Sequence, residues 1–253
     1  MRTEDIVEHI QARLQATPVV SRPFPHLIID EFLPPDAYAE LQERWPAKEA
    51  FRPNPSGMRR EVPGRTLIES GDAKAYWAGV HGWAQAANRG LFTKLQPYLG
   101  AKFAPVLGEE WRDAIRGLEL NIGGFQLAYY TGDVLMSPHV DHAIIVTNAF
   151  LYLSESDREE PELGTALYQS RGLMLPVNID VMPNLARLGL KEAGIAAYRA
   201  NRVFAYVNGP ASFHGVSAKI GDRERRILMF GNLMTNASMG RVLGPEYFVR
   251  GAS

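Results

Sequence analysis

The sequence predicts an α+β, mainly β fold: a jelly-roll core (a double-stranded β-helix) supported by N-terminal helices. Three observations carry this reading. Before Leu118, apolar residues recur at three- and four-residue steps, the period of a helix with one buried face. From Leu118 onward, short runs of Leu, Ile, Val, Phe and Tyr alternate with Gly, Asn, Asp and Pro, as in antiparallel sheets. Eight such runs are present, the number of strands in a double-sheet jelly roll.

The elements follow in chain order. Residues 4–15 place Ile6, Ile10 and Leu14 at helical spacing, and Pro18 to Pro25 ends that helix. Leu27-Ile28-Ile29 reads as a short strand. Pro34-Pro35-Asp36 opens a second helix, since proline is tolerated in a first turn, and Pro46 stops it. Residues 51–66 read as a loop broken by Pro53, Pro55, Gly57, Pro63 and Gly64. Arg52, Arg59, Arg60 and Arg65 make it basic: either a flap that meets an anionic substrate or a solvated loop. Asp72 can cap a long helix to about Gln96, and another helix is expected over Pro105 to Arg116.

The expected strands are 118–122, 125–130, 134–139, 143–153, 164–169, 202–208, 212–216 and 225–233. Between 171 and 201 the strand pattern lapses, with partial helical character from Leu185 to Tyr198; an insert of that length is usually a lid or accessory helix. The expected organisation is one domain over 1–253, with a helix-rich support region 1–117, a core 118–233 and an extension 234–253.

Composition narrows the partners. Hydrophobic content of 46% and charged content of 22% are those of a soluble globular protein. A net charge of -1 offers no general attraction to nucleic acid or anionic membrane, so neither is an expected partner; a small molecule is. No apolar run approaches the roughly 20 residues that span a bilayer. The start, Met1-Arg2-Thr3-Glu4-Asp5, is acidic where a secretory signal is basic, so a cytoplasmic location is expected. The absence of cysteine excludes disulfides, thiolate nucleophiles and Cys-type zinc sites.

Chemistry concentrates in His139-Val140-Asp141. Residues two apart in an extended strand share a face, so an imidazole nitrogen and a carboxylate oxygen can aim at one point. His214, on a later expected strand, is the candidate third donor. Two histidines and a carboxylate on one side of a metal leave the other side open, as in non-haem Fe(II) sites. His142 is adjacent to Asp141, so strand parity turns it away from the metal. Arg223, Arg225 and Arg226 lead into Ile227-Leu228-Met229-Phe230, a strand apolar on both faces. A guanidinium buried there needs a carboxylate; a bound dicarboxylate, chelating the metal at its other end, supplies one. Parity does not choose between Arg225 and Arg226.

The ordered series resembles the 2-oxoglutarate- and Fe(II)-dependent dioxygenase superfamily, in its prolyl-4-hydroxylase-like branch. Its members here are Tyr129-x-x-Gly132-Asp133, His139-x-Asp141, Phe150-Leu151-Tyr152-Leu153, Gly164-Thr165-Ala166-Leu167-Tyr168, Phe204-Ala205-Tyr206-Val207-Asn208, Phe213-His214-Gly215-Val216 and Arg225-Arg226-Ile227-Leu228. Pro23 to Asp30 also resembles the N-terminal strand of many bacterial members. The resemblance implies that His139, Asp141 and His214 hold Fe(II) and that Arg225 binds 2-oxoglutarate, with Arg223 and Arg226 as alternatives. It also implies that Tyr129 helps hold the cosubstrate. The implied reaction consumes O2 and 2-oxoglutarate, releases succinate and CO2, and hydroxylates an unactivated C–H bond. Gly164-Thr165 stands where Gly-Gly is commoner, and the 171–201 segment is longer than usual. The expected substrate is a polar small molecule, a sugar or amino-acid derivative. The alternatives are hydroxylation of a prolyl residue in a protein, a non-catalytic jelly-roll metal- or sugar-binding module, and a zinc hydrolase, since this donor set also suits zinc.

Overall fold

The computed structural model describes residues 1–54, 57, 59–69, 73–131, 136–175, 183–216 and 223–243. Gly132, Asp133 and the capping residue Asp72 lie outside them. The helices are α1 (Thr3–Ala16), α2 (Pro35–Glu43), α3 (Gly64–Glu69), α4 (Lys74–Leu95), α5 (Gly100–Leu107), α6 (Trp111–Ala114), α7 (Pro183–Gly189) and α8 (Asn236–Leu243). The strands are β1 (His26–Ile29), β2 (Arg52–Pro53), β3 (Arg60–Pro63), β4 (Leu120–Thr131), β5 (Met136–His139), β6 (Ile145–Tyr152), β7 (Glu160–Ser170), β8 (Leu190–Tyr198), β9 (Arg202–Val207), β10 (His214–Val216) and β11 (Glu224–Met234).

Two antiparallel sheets form the core: a seven-stranded sheet ordered β1-β9-β6-β11-β4-β3-β2 and a four-stranded sheet ordered β5-β10-β7-β8. Helices cover the outer face of the larger sheet. Ile6, Ile10 and Leu14 of α1 lie against α4, and Gly90 permits the approach, since a Cβ there would sit 2.7 Å from Leu14 Cδ1. Trp77 of α4 stacks on Phe125 of β4 at 5.7 Å between centroids.

Strand parity then sorts the large sheet into two faces. On β9, Val203, Ala205 and Val207 join the helix-side core, whereas Phe204 and Tyr206 join the core between the sheets. Both faces are buried, which is why this strand reads as a continuous apolar run. The same parity on β4 sends Phe125, Leu127 and Tyr129 toward the helices and Ala128 and Tyr130 between the sheets.

Several expectations change. Residues 190–198 form β8, not a helix: their Ala, Glu and Lys favour helix locally, but pairing with β7 overrides that preference. Gly164 allows the pairing, because a Cβ there would lie 2.5 Å from Ala196 O. The strands expected at 118–122 and 125–130 are one strand, β4, running through Gly123 and Gly124. The 51–66 loop contains β2 and β3, with Pro53 on the edge strand, where a missing N–H costs no ladder bond. The helix expected over 105–116 is split into α5 and α6 at Gly108, whose φ of 73° ends α5. Among the described residues, no helix is long and apolar enough to cross a membrane.

Candidate metal centre

The site lies at one end of the gap between the sheets. β5 and β10 are antiparallel neighbours, and His139 and His214 are register partners across them. Their ring centroids are 4.5 Å apart. Asp141 lies two residues past the end of β5, so its direction is set by side-chain contacts and not by the strand. Its Oδ1 is 3.9 Å from His139 Nε2 and 3.8 Å from His214 Nε2. The three side chains offer donor atoms within 4.8 Å of one another.

The hydrogen bonds behind these atoms decide which ones face the common point. His139 Nδ1 lies 2.9 Å from Ser137 O, and His214 Nδ1 lies 2.9 Å from Ser212 O. A carbonyl only accepts, so each Nδ1 carries the proton and each Nε2 keeps its lone pair, the tautomer that a metal requires. Asp141 Oδ2 accepts from Asn148 Nδ2 at 2.8 Å and from the Tyr206 hydroxyl, which leaves Oδ1 as its ligand atom. The Tyr206 hydroxyl also lies 3.1 Å from His214 Nε2.

Electrostatics favours the same assignment. Burial, with His139 alongside, pushes His214 down to about 4, so at neutral pH it has no proton to lose to an incoming cation. Burial opposes the charge on Asp141, but the two histidines, Tyr206 and Asn148 outweigh it and hold the carboxyl below its usual range. Burial and the neighbouring carboxylate raise Tyr206 well above its ordinary value, so it remains a donor. The donor set, with its tautomers fixed and one carboxylate oxygen free, fits a divalent cation of the kind bound by two histidines and a carboxylate.

The three donors open into a cavity of about 860 Å³ between the sheets. Arg225 shares that cavity and is 2% exposed. Its Nε donates to Leu163 O at 2.6 Å and its Nη2 to Thr165 Oγ1 at 3.0 Å. The guanidinium lies over the rings of Tyr130 and Tyr152, 5.2 and 5.3 Å from their centroids. Among the described residues no carboxylate pairs with it, a costly state for a buried charge unless a ligand supplies one.

The neighbouring arginines are engaged elsewhere. Arg223 is paired with Glu160 and Glu162 near the surface. Arg226 lies on the helix side, paired with Glu224 at 2.5 Å and stacked on Trp45. Tyr129 does not line the cavity, contrary to the role expected for it: parity turns it to the helix side, with its ring 4.9 Å from Phe51. Tyr130, opposite Arg225 on the adjacent strand, takes the cavity position. His142 is outside the donor group, but strand parity is not the reason, since β5 ends at His139; it lines the same cavity as Asp141. Of the loop arginines, Arg59 and Arg65 line the cavity; Arg52 and Arg60 do not. Sequence reasoning missed the roles of Tyr206, Asn148 and Thr165, although Tyr206 and Thr165 lie inside motifs it had marked.

No family model matches the sequence, and no curated protein matches it. Solved structures do match. The epimerase SnoN from nogalamycin biosynthesis, described as non-heme and alpha ketoglutarate dependent, is 14% identical; the alignment covers 90% of this chain and 82% of that one at a TM-score of 0.50. Prolyl 4-hydroxylases from Phytophthora capsici match at 16% identity over 96% of this chain and 68% of that one, with a TM-score of 0.51. HygX from Streptomyces hygroscopicus, solved with nickel, 2-oxoglutarate and hygromycin B, is 16% identical over 83% of each chain at a TM-score of 0.44. The fold is the double-stranded β-helix of the SnoN and prolyl 4-hydroxylase structures. In this double-stranded β-helix the two sheets face each other without closing, and the donor group sits in the gap between them.

Proposed function

We propose that this protein is an Fe(II)- and 2-oxoglutarate-dependent oxygenase that hydroxylates a polar small molecule. One observation carries the reading: three metal-donor side chains line the same cavity as a buried arginine that has no carboxylate partner among the described residues. A metal site alone explains the histidines but not Arg225. A dicarboxylate that reaches from the metal to a guanidinium explains both, and 2-oxoglutarate has that shape and charge.

His139 Nε2, Asp141 Oδ1 and His214 Nε2 would hold the iron, which when bound supplies oxygen activation. Arg225 binds the far carboxylate of 2-oxoglutarate and is itself held by Leu163 O and Thr165 Oγ1. Tyr130 and Tyr152 flank the guanidinium with ring faces and keep water from it. Phe150, Met136, Val216 and Ile227 give the cavity apolar walls near the donors. The balance is one substrate C–H, one O2 and one 2-oxoglutarate giving C–OH, succinate and CO2.

The cavity is of the size that small-molecule sites take, about 300–1,000 Å³. Arg59, Arg65, Gln126 and His142 line it with polar groups, which supports a sugar or amino-acid derivative. His142 accepts the Ile144 N–H at its Nδ1 (3.2 Å), so its Nε2–H is a donor available to a substrate oxygen. The test is succinate release across a panel of sugars and amino-acid derivatives with Fe(II), 2-oxoglutarate and oxygen. Release stimulated by one class supports the reading; stimulation only by a prolyl peptide replaces the substrate, and release unaffected by removing the metal overturns the mechanism.

A further inference from the structure

Lys102 is a buried amine that the proposed chemistry does not use. It lies in α5, in the N-terminal helical region, and is 4% exposed. Its Nζ donates to Ala143 O and Ile145 O, both at 2.8 Å. These carbonyls belong to the segment just after Asp141, and Lys102, Asp141 and Ala143 line a recess much smaller than the main cavity. Among the described residues it has no carboxylate in salt-bridge contact. A lysine buried for packing alone would be a poor choice, because burying an ammonium is costly and an apolar side chain would pack there at no such cost.

Asn208 extends the arrangement. Its Nδ2 lies 3.0 Å from His142 O, 3.1 Å from Ile145 O and 3.3 Å from Asp141 O. Its Oδ1 lies 3.2 Å from Ser212 Oγ, and Ser212 O accepts the Nδ1–H of His214. The Asp141 segment and the approach to His214 are therefore joined through one side chain, with Lys102 pulling on the same carbonyl, Ile145 O. Gly209 makes room for this: a Cβ there would lie 2.6 Å from Ala101 O and 3.1 Å from Lys102 Cα, so any larger residue would push α5 away.

We infer that Lys102 is a positioning residue: with Asn208 it braces the 141–145 segment so that Asp141 Oδ1 faces the two histidine nitrogens before a cation arrives. The brace acts through hydrogen bonds to carbonyl oxygens and sets metal affinity, not the later chemistry. The inference rests on the metal site proposed above.

The test uses the full chain and Mn²⁺ alone, titrated by calorimetry, in the wild type, Lys102→Met, Asn208→Ala and the double variant. Groups that orient metal ligands are typically worth ten- to a hundredfold in affinity. Lys102→Met should weaken Mn²⁺ binding by about tenfold or more, and the double variant should lose less than the product of the two single losses, because both side chains hold Ile145 O. The thermal midpoint of the metal-free chain, measured alongside, separates this from general unfolding. In the succinate assay the iron needed for half-maximal rate should rise while the rate at saturating iron stays unchanged. An affinity within twofold of wild type overturns the inference, as does tighter binding, which would mean that the lysine acts by repelling the cation. Should Lys102→Met not fold, Asn208→Ala decides by the same criterion. A wild type that binds no Mn²⁺ would instead refute the metal site itself.

Discussion

His139 and His214 are partners across β5 and β10, and each has its Nδ1 tied 2.9 Å from the carbonyl two residues before it. The same local contact, repeated on two strands, turns both Nε2 atoms toward Asp141. Replacing His139 or Asp141 by alanine should therefore abolish substrate-dependent succinate formation. Turnover at the wild-type rate in either variant would refute the assignment of the donors.

Tyr206 touches two of the three donors through one hydroxyl, donating to Asp141 Oδ2 and lying 3.1 Å from His214 Nε2. Tyr206→Phe keeps the ring, which stacks on Phe204, and removes only that hydroxyl. Metal affinity is expected to fall about tenfold, within the range found for partners of metal ligands. Calorimetry with Mn²⁺ reads it, and an unchanged affinity would show that Asn148 alone suffices to orient the carboxylate.

Tyr129 and Tyr130 are neighbours with opposite fates, one packed against Phe51 and the other under Arg225. Tyr130→Ala should weaken 2-oxoglutarate binding several-fold, the range expected for a partly desolvated cation–π contact. Tyr129→Ala should leave that affinity unchanged and lower stability by about 3 kcal/mol, as for other large aromatic truncations in cores. Urea unfolding and calorimetry on both variants separate the two roles; a reversed pattern would mean the strand is in the other register.

Away from the site, Asp30 receives Arg202 Nε at 2.6 Å and Nη2 at 3.0 Å. That hydrogen-bonded pairing holds the Asp30 carboxyl below its usual value, despite opposition from burial. A depressed carboxyl stabilises the fold fully above the unfolded-state value of about 3.9 and loses that contribution as pH falls through the lower, folded-state value. Asp30→Asn should accordingly be less stable than wild type at pH 7, with the gap narrowing toward pH 3. Chemical unfolding at the two pH values checks this, and a gap of equal size at both would assign the effect to packing.

The parts of the fold that were legible are those where one local pattern sufficed. The spacing of Ile6, Ile10 and Leu14, and the apolar runs of β6 and β9, carry their burial in the sequence. Arg225 was only half legible. β11 lies centrally between β6 and β4, with helices on one side and the small sheet on the other, so both faces are apolar and parity has nothing to read. β8 was misread because its composition favours helix and only the partner strand reveals it. Lys102 gave no signal, since a lysine in a helix ordinarily faces water, and only the folded chain brings it behind Asp141. Burial pushes this lysine down to about 7, a mark of how far it is from an ordinary surface position.

The proposed function requires one cosubstrate to join the metal donors to Arg225. The most direct measurement is anaerobic calorimetry of 2-oxoglutarate into the Mn²⁺-loaded wild type, the metal-free wild type and Arg225→Met. One molecule should bind per chain, and only when metal is present. The affinity should be about tenfold or more weaker in Arg225→Met, as expected for losing hydrogen bonds to a charged group worth about 1.5–3 kcal/mol. Binding of equal strength without metal, or an Arg225→Met variant that binds as tightly as wild type, would contradict the proposed function.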